Sequence, residues 1–126
     1  MRSIHSFLIV ASIVFFASCE EILEVSDISE KEVILLAPSD SSVVTQTEVN
    51  FTWQEVFEAT SYHVQIAQPN FTNATQIVAD TLVVVDSTYI GSRITRTLSN
   101  NSYEWRVKAQ NSDFETPYTT NSFIVN

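Results

Sequence analysis

One cysteine, Cys19, stands in this chain of 126 residues, so no disulfide can form within it. One glycine, Gly91, excludes a glycine-rich loop that would wrap its amides around a phosphate. Prolines are limited to Pro38, Pro69 and Pro117. Turns must therefore rest on Asn, Ser and Asp, whose short polar side chains bond the local backbone. Asn70, Asn73, Asn100 and Asn101 stand where turns are needed. Cations are scarce: 6 Lys and Arg face 15 Asp and Glu, for a net charge of −9. Nucleic acid requires clustered cations to displace its counterions, so no nucleic-acid partner is expected. The two histidines, His5 and His63, have no neighbouring His or Cys at metal-ligand spacing. Ser39-Asp40-Ser41-Ser42 offers a single carboxylate, and no dense acidic calcium loop occurs elsewhere. His63 is accompanied by no Gly-x-Ser-x-Gly elbow. The expectation is a chain with no catalytic centre, no metal and no cofactor.

Long apolar runs are missing too. The longest, Phe7–Ala17, holds about 11 residues, against roughly 20 for a membrane-spanning helix. It follows Met1-Arg2 and leads to Ala17-Ser18-Cys19. A positive tip, a short apolar centre and small residues at a cut site are the layout of an export signal. Phe16-Ala17-Ser18-Cys19 resembles the lipobox of bacterial lipoproteins, with Phe16 where that family usually has Leu or another aliphatic residue. The resemblance implies cleavage before Cys19, a diacylglycerol on its sulfur and an acylated new amino group. Residues 1–18 would then be signal peptide, and the chain would meet the membrane through this lipid. The alternative is an ordinary secretory cut nearby, which leaves Cys19 a stray thiol.

Glu20-Glu21 and the residues after them make 19–31 an acidic stretch, read as a solvated tether. Acidic residues directly after the lipidated cysteine resemble the surface-export signal of diderm bacteria. That resemblance implies a lipid-anchored protein of the outer membrane, exposed at the cell surface; the alternative is a periplasm-facing site on the same membrane. Removing Arg2 with the signal leaves 6 − 1 = 5 cations against 15 carboxylates, a charge of −10.

From residue 32 onward, alternation with period two dominates. Val49, Phe51 and Trp53 share one face of Glu48–Trp53, opposite Asn50 and Thr52. Tyr62, Val64 and Ile66 alternate with His63 and Gln65. Tyr103, Trp105, Val107 and Ala109 alternate with Glu104, Arg106 and Lys108. Further strands are expected at Glu32–Leu36, Gln76–Ala79, Leu82–Val85, Arg93–Leu98 and Thr119–Val125. Val83-Val84-Val85 has no alternation to set its register. Several short strands with frequent turns and no helical period predict one antiparallel β-sandwich of about seven strands over 32–126.

Trp53 in an early strand, Tyr62 in the next, and Leu98 before Tyr103-Glu-Trp-Arg-Val-Lys-Ala109 resemble a fibronectin type III domain, an immunoglobulin-like β-sandwich. The resemblance implies that Trp53 is core and that Tyr103 forms a corner with the preceding loop. Leu98-Ser-Asn-Asn-Ser-Tyr103 departs from the family's corner: it is one residue shorter and lacks the proline. Leu35-Leu-Ala-Pro-Ser-Asp40 with Phe51-Thr-Trp53 also resembles the first domain of starch-utilisation outer-membrane lipoproteins. Their further domains and starch sites have no counterpart here.

Phe57, Phe114 and Tyr118 fall in loops expected at one end of the sandwich, where their rings form a candidate binding surface. The polar face of His63, Gln65, Glu104, Arg106 and Lys108 is a second candidate. Phe71, in Pro69-Asn-Phe-Thr-Asn73, belongs to another loop. These residues point to a binding module for an envelope protein or a glycan. The alternative is a structural spacer or assembly subunit with no pocket of its own.

Overall fold

The computed structural model describes residues 24–126; the signal segment, Cys19 and the start of the tether lie outside them. Eight strands are present among the described residues: β1 Leu35–Ala37, β2 Ser42–Val44, β3 Glu48–Trp53, β4 Ser61–Gln68, β5 Gln76–Val84, β6 Arg93–Thr97, β7 Asn101–Gln110 and β8 Thr119–Val125. They form a sheet ordered β1-β3-β6 and a second ordered β2-β8-β7-β4-β5. All pairings are antiparallel except β2 with β8.

The alternating strands behave as their sequences dictate. In β4 and β7 the inward pairs are Tyr62 with Ala109, Val64 with Val107 and Ile66 with Trp105, all buried. The facing sheet supplies Val49, Phe51 and Trp53, also buried. Rings close the gap between layers: Phe51 meets Trp105 edge-on at 5.2 Å between centroids, and Phe123 at 5.6 Å. Trp53 lies 5.5 Å from Tyr62. Such offset ring pairs add specificity to the area they bury. The Trp105 indole N–H donates to Pro38 O at 3.1 Å, which satisfies its buried polar atom.

The corner also forms. Tyr103 Oη donates to Ser99 O at 2.7 Å, four residues back. The shorter, proline-free loop still presents a carbonyl to the ring because the bond needs only one acceptor at the right distance.

Four expectations are corrected by the coordinates. The first strand is Leu35–Ala37, not Glu32–Leu36; Val33, before it, is fully buried without strand pairing. Gln76–Ala79 and Leu82–Val85 are one continuous strand, β5, broken only by a register shift opposite Ile66 and Ala67. Its Val83 points inward and Val84 outward, so the valine run has a register set by pairing with β4. Strand β2 has no counterpart among the expected strands; three residues pair in parallel with distant β8, which leaves no local pattern. Finally, the stretch read as tether does not stay in solvent up to residue 31. Ile28 is fully buried with Val33 in the core cluster, and Asn111 Nδ2 donates to Ser26 O at 2.8 Å. An aliphatic residue in an acidic run can dock while the charged residues around it stay in water, because burying its side chain removes apolar surface from solvent.

Candidate functional site

The outer face of the five-stranded sheet gathers a cluster of polar, charged and aromatic side chains. Pleating sends His63 and Gln65 of β4 and Glu104, Arg106 and Lys108 of β7 to the side away from the core. Register then places His63 beside Lys108, and Gln65 beside Arg106. Strand β5 adds Asp80 opposite Gln65, and Leu82 opposite His63.

Arg106 lies between two rings. Its guanidinium carbon is 4.0 Å from the Phe71 centroid and 4.2 Å from the Tyr118 centroid. Its Nε donates to Gln65 Oε1 at 2.8 Å. Cations over ring faces are attracted by the ring quadrupole, most strongly where water is excluded. Lys108 Nζ also sits 5.0 Å from the Tyr118 ring and pairs with Glu115 at 3.0 Å. The Phe71 loop is held down by its own backbone: the Phe71 N–H donates to Glu104 Oε1 at 2.9 Å. Ala67, aligned with outward Glu104, is fully buried yet outside the core cluster, so this loop roofs that part of the sheet.

Beside the stack, His63 bridges two partners. Its Nε2 bonds Asp80 Oδ1, and its Nδ1 shares a hydrogen bond of 2.9 Å with the Tyr118 hydroxyl. A neutral ring satisfies both partners: Nε2–H donates to the carboxylate and Nδ1 accepts from the phenol. The hydrogen bond from His63 holds the Asp80 carboxyl below the usual aspartate range. Asp80 stays 55% exposed, so the pair is wet.

The three candidate rings occupy three environments. Tyr118 belongs to the outer face just described. Phe114 is half-buried against the core, its N–H donating to Asn111 Oδ1 at 2.8 Å. Phe57 is 76% exposed at the tip of the β3–β4 loop, with Lys31 Nζ 5.5 Å from its centroid. Tyr118 therefore joins the second candidate surface, with His63, Gln65, Glu104, Arg106 and Lys108. Asp80 and Phe71 complete it, though their sequence context does not mark them. Asp80 is brought in by the β4–β5 hairpin register, and Phe71 by a loop that folds back over β7. Leu82, 56% exposed, and Val84 extend the face with apolar surface. Among the described residues no group of three or more His, Cys, Asp or Glu is placed to hold a metal.

No family model and no curated protein matches this sequence. Among solved structures, a β-sandwich protein from a computer-based redesign study is 20% identical, with a TM-score of 0.50 over 75% of this chain and 90% of that one. Domains d3–d4 of the rat CD45 extracellular region align at 10% identity and a TM-score of 0.47, over 85% of this chain and 71% of that one. At the level of fold, this chain is an all-β sandwich of two sheets.

Proposed function

We propose that this protein is an outer-membrane lipoprotein, anchored through Cys19 and displayed at the cell surface, whose sandwich binds an envelope protein or a glycan. The observation that carries the binding reading is Arg106 held between Phe71 and Tyr118 on a sheet face outside the core. Ordered arginine and tyrosine at a surface are the side chains that contribute most to recognition, because little freedom remains to be lost on binding. Exposed Leu82 and Val84 beside them supply apolar contact. Planar rings next to fixed hydrogen-bonding groups suit a peptide surface and a sugar ring alike.

Two results test this reading. Cys19→Ala should move the protein from the membrane fraction to the soluble fraction; unchanged fractionation would count against the anchor. On the intact lipoprotein, Tyr118→Ala with Arg106→Ala should abolish capture of an envelope partner and leave folding intact, since neither side chain belongs to the core cluster. Capture that survives both changes would remove this face from the reading.

One observation favours the spacer alternative. Arg106 bonds Gln65, Lys108 bonds Glu115 and His63 bonds Asp80, so the charged groups of this face already have partners. A wild-type protein that captures nothing from the envelope would put the spacer reading first.

A further inference from the structure

The N-terminal stretch is fastened to one end of the sandwich. Asn111 holds Ser26 O, Ile28 is buried, and Lys31 Nζ donates to Phe57 O at 3.2 Å. Three loops share that end: 54–60, 85–92 and 111–118. The backbone shows it, since Thr60 N–H donates to Gln110 O, Val85 N–H to Thr60 O, and Trp53 N–H to Ser92 O. Loop 69–75 follows the other end of β4, where Ala67 pairs with Glu104 near the start of β7.

The two most exposed large apolar side chains among the described residues are Phe57 at 76% and Ile90 at 75%. Both lie in loops of the fastened end. The Phe57 loop is built firmly. Tyr62 Oη accepts the Val56 N–H at 2.8 Å, Lys31 braces the ring and the carbonyl, and Glu58 turns the chain with φ of 70°. A non-glycine residue in the left-handed region is uncommon, and here it follows directly on the projecting ring.

Cys19 stands seven residues before Ser26, so the chain between them spans at most about 25 Å. Strand β7, with ten residues, is about 33 Å long. A lipid on Cys19 therefore keeps the fastened end near the bilayer, while the tether alone leaves the tilt of the sandwich open.

We infer that the end carrying loops 54–60 and 85–92 faces the membrane, with Phe57 and Ile90 seated in the lipid interface. The inference rests on the anchor proposed above. Apolar side chains at the membrane boundary gain by leaving water, and two of them at one end set the tilt. Glu55 and Glu58 flank Phe57, which selects a zwitterionic interface over an anionic one. The Arg106 face then stands upright beside the membrane, and loop 69–75 points away from it.

The experiment uses the lipidated full chain in zwitterionic phosphatidylcholine vesicles that carry lipid-attached quenchers. Cys19 is occupied by lipid, so a single new cysteine takes the fluorophore: Glu55→Cys at the fastened end, or Ala74→Cys at the opposite end. The label at 55 should be quenched several-fold more than the label at 74. Equal or reversed quenching in protein that floats with the vesicles would overturn the orientation. Phe57→Ser with Ile90→Ser should remove most of the quenching at 55 without changing flotation; full quenching in that variant would overturn the lipid contact. Protein that fails to float would sink the anchor itself, and this inference with it.

Discussion

Trp105→Ala should lower the unfolding free energy by about 3–5 kcal/mol, the range for emptying a large aromatic site in a core. Trp105 is fully buried in β7, the strand that pairs with both β4 and β8. Its loss opens a cavity beside Phe51 and Phe123, whose rings pack on one another. It also takes away the donor to Pro38 O, leaving that carbonyl only the longer contact from Asn121 Nδ2 at 3.4 Å. The cavity cannot collapse easily, because strand pairing on both sides of β7 holds its walls apart. A domain of this size has roughly 5–15 kcal/mol in total, so the variant should be marginal or unfolded. A urea melt gives the difference, with Phe57→Ala as the control. Phe57 is mostly exposed, and its truncation should stay within about 0.5 kcal/mol. A Trp105→Ala variant within 1 kcal/mol of the parent would be incompatible with this core.

Ile28→Ala should cost about 2–3 kcal/mol, toward the lower end of the range for aliphatic truncation in cores. Ile28 is fully buried, yet its segment belongs to no strand and can partly close over the space left behind. The same change in a solvated tether would be silent, so this variant separates the two descriptions of residues 24–31. Hydrogen exchange gives a second readout. The Lys31 N–H donates to Ile28 O at 3.0 Å, and its protection should fall as the turn loosens. An unchanged melt together with unchanged Lys31 exchange would mean that the segment adds nothing to the fold.

The comparison between Trp105 and Ile28 shows what could be read from residue order. Trp105 was legible because it belongs to a four-member alternation in one strand, and alternation is a property of neighbours. Ile28 was not, since the aliphatic residues of 19–31 (Ile22, Leu23, Val25, Ile28) follow no alternation that would single one out as core. Strand β5 was half legible. Leu82 and Val84 point to the open outer face while Val83 points to the core, so apolar residues occupy both faces and the pattern blurs. Strand β2 was not legible at all, because three residues are stabilised by pairing with a partner some eighty positions away.

The candidate site divides in the same way. His63, Gln65, Glu104, Arg106 and Lys108 were legible as one polar face, since each alternates with a core residue. Tyr118 is legible as an aromatic of the β7–β8 loop, but residue order groups it with Phe57 and Phe114 at the sandwich end. It follows Pro117 into β8 and lies over Arg106 and Lys108, which a loop assignment does not convey. Phe71 and Asp80 entered through a folded-back loop and a hairpin register, and neither leaves a mark in the local sequence.

Residue order by itself determined the all-β class, the inward faces of β3, β4 and β7, and the strong negative charge. Each follows from side chains a residue or two apart, or from simple summation. Only the tertiary structure decided that Ile28 is core, that Phe71 and Tyr118 flank Arg106, and that Phe57 and Ile90 share the end where the N-terminal segment is fastened. Those outcomes depend on contacts between distant parts of the chain, formed when two sheets close on one set of rings.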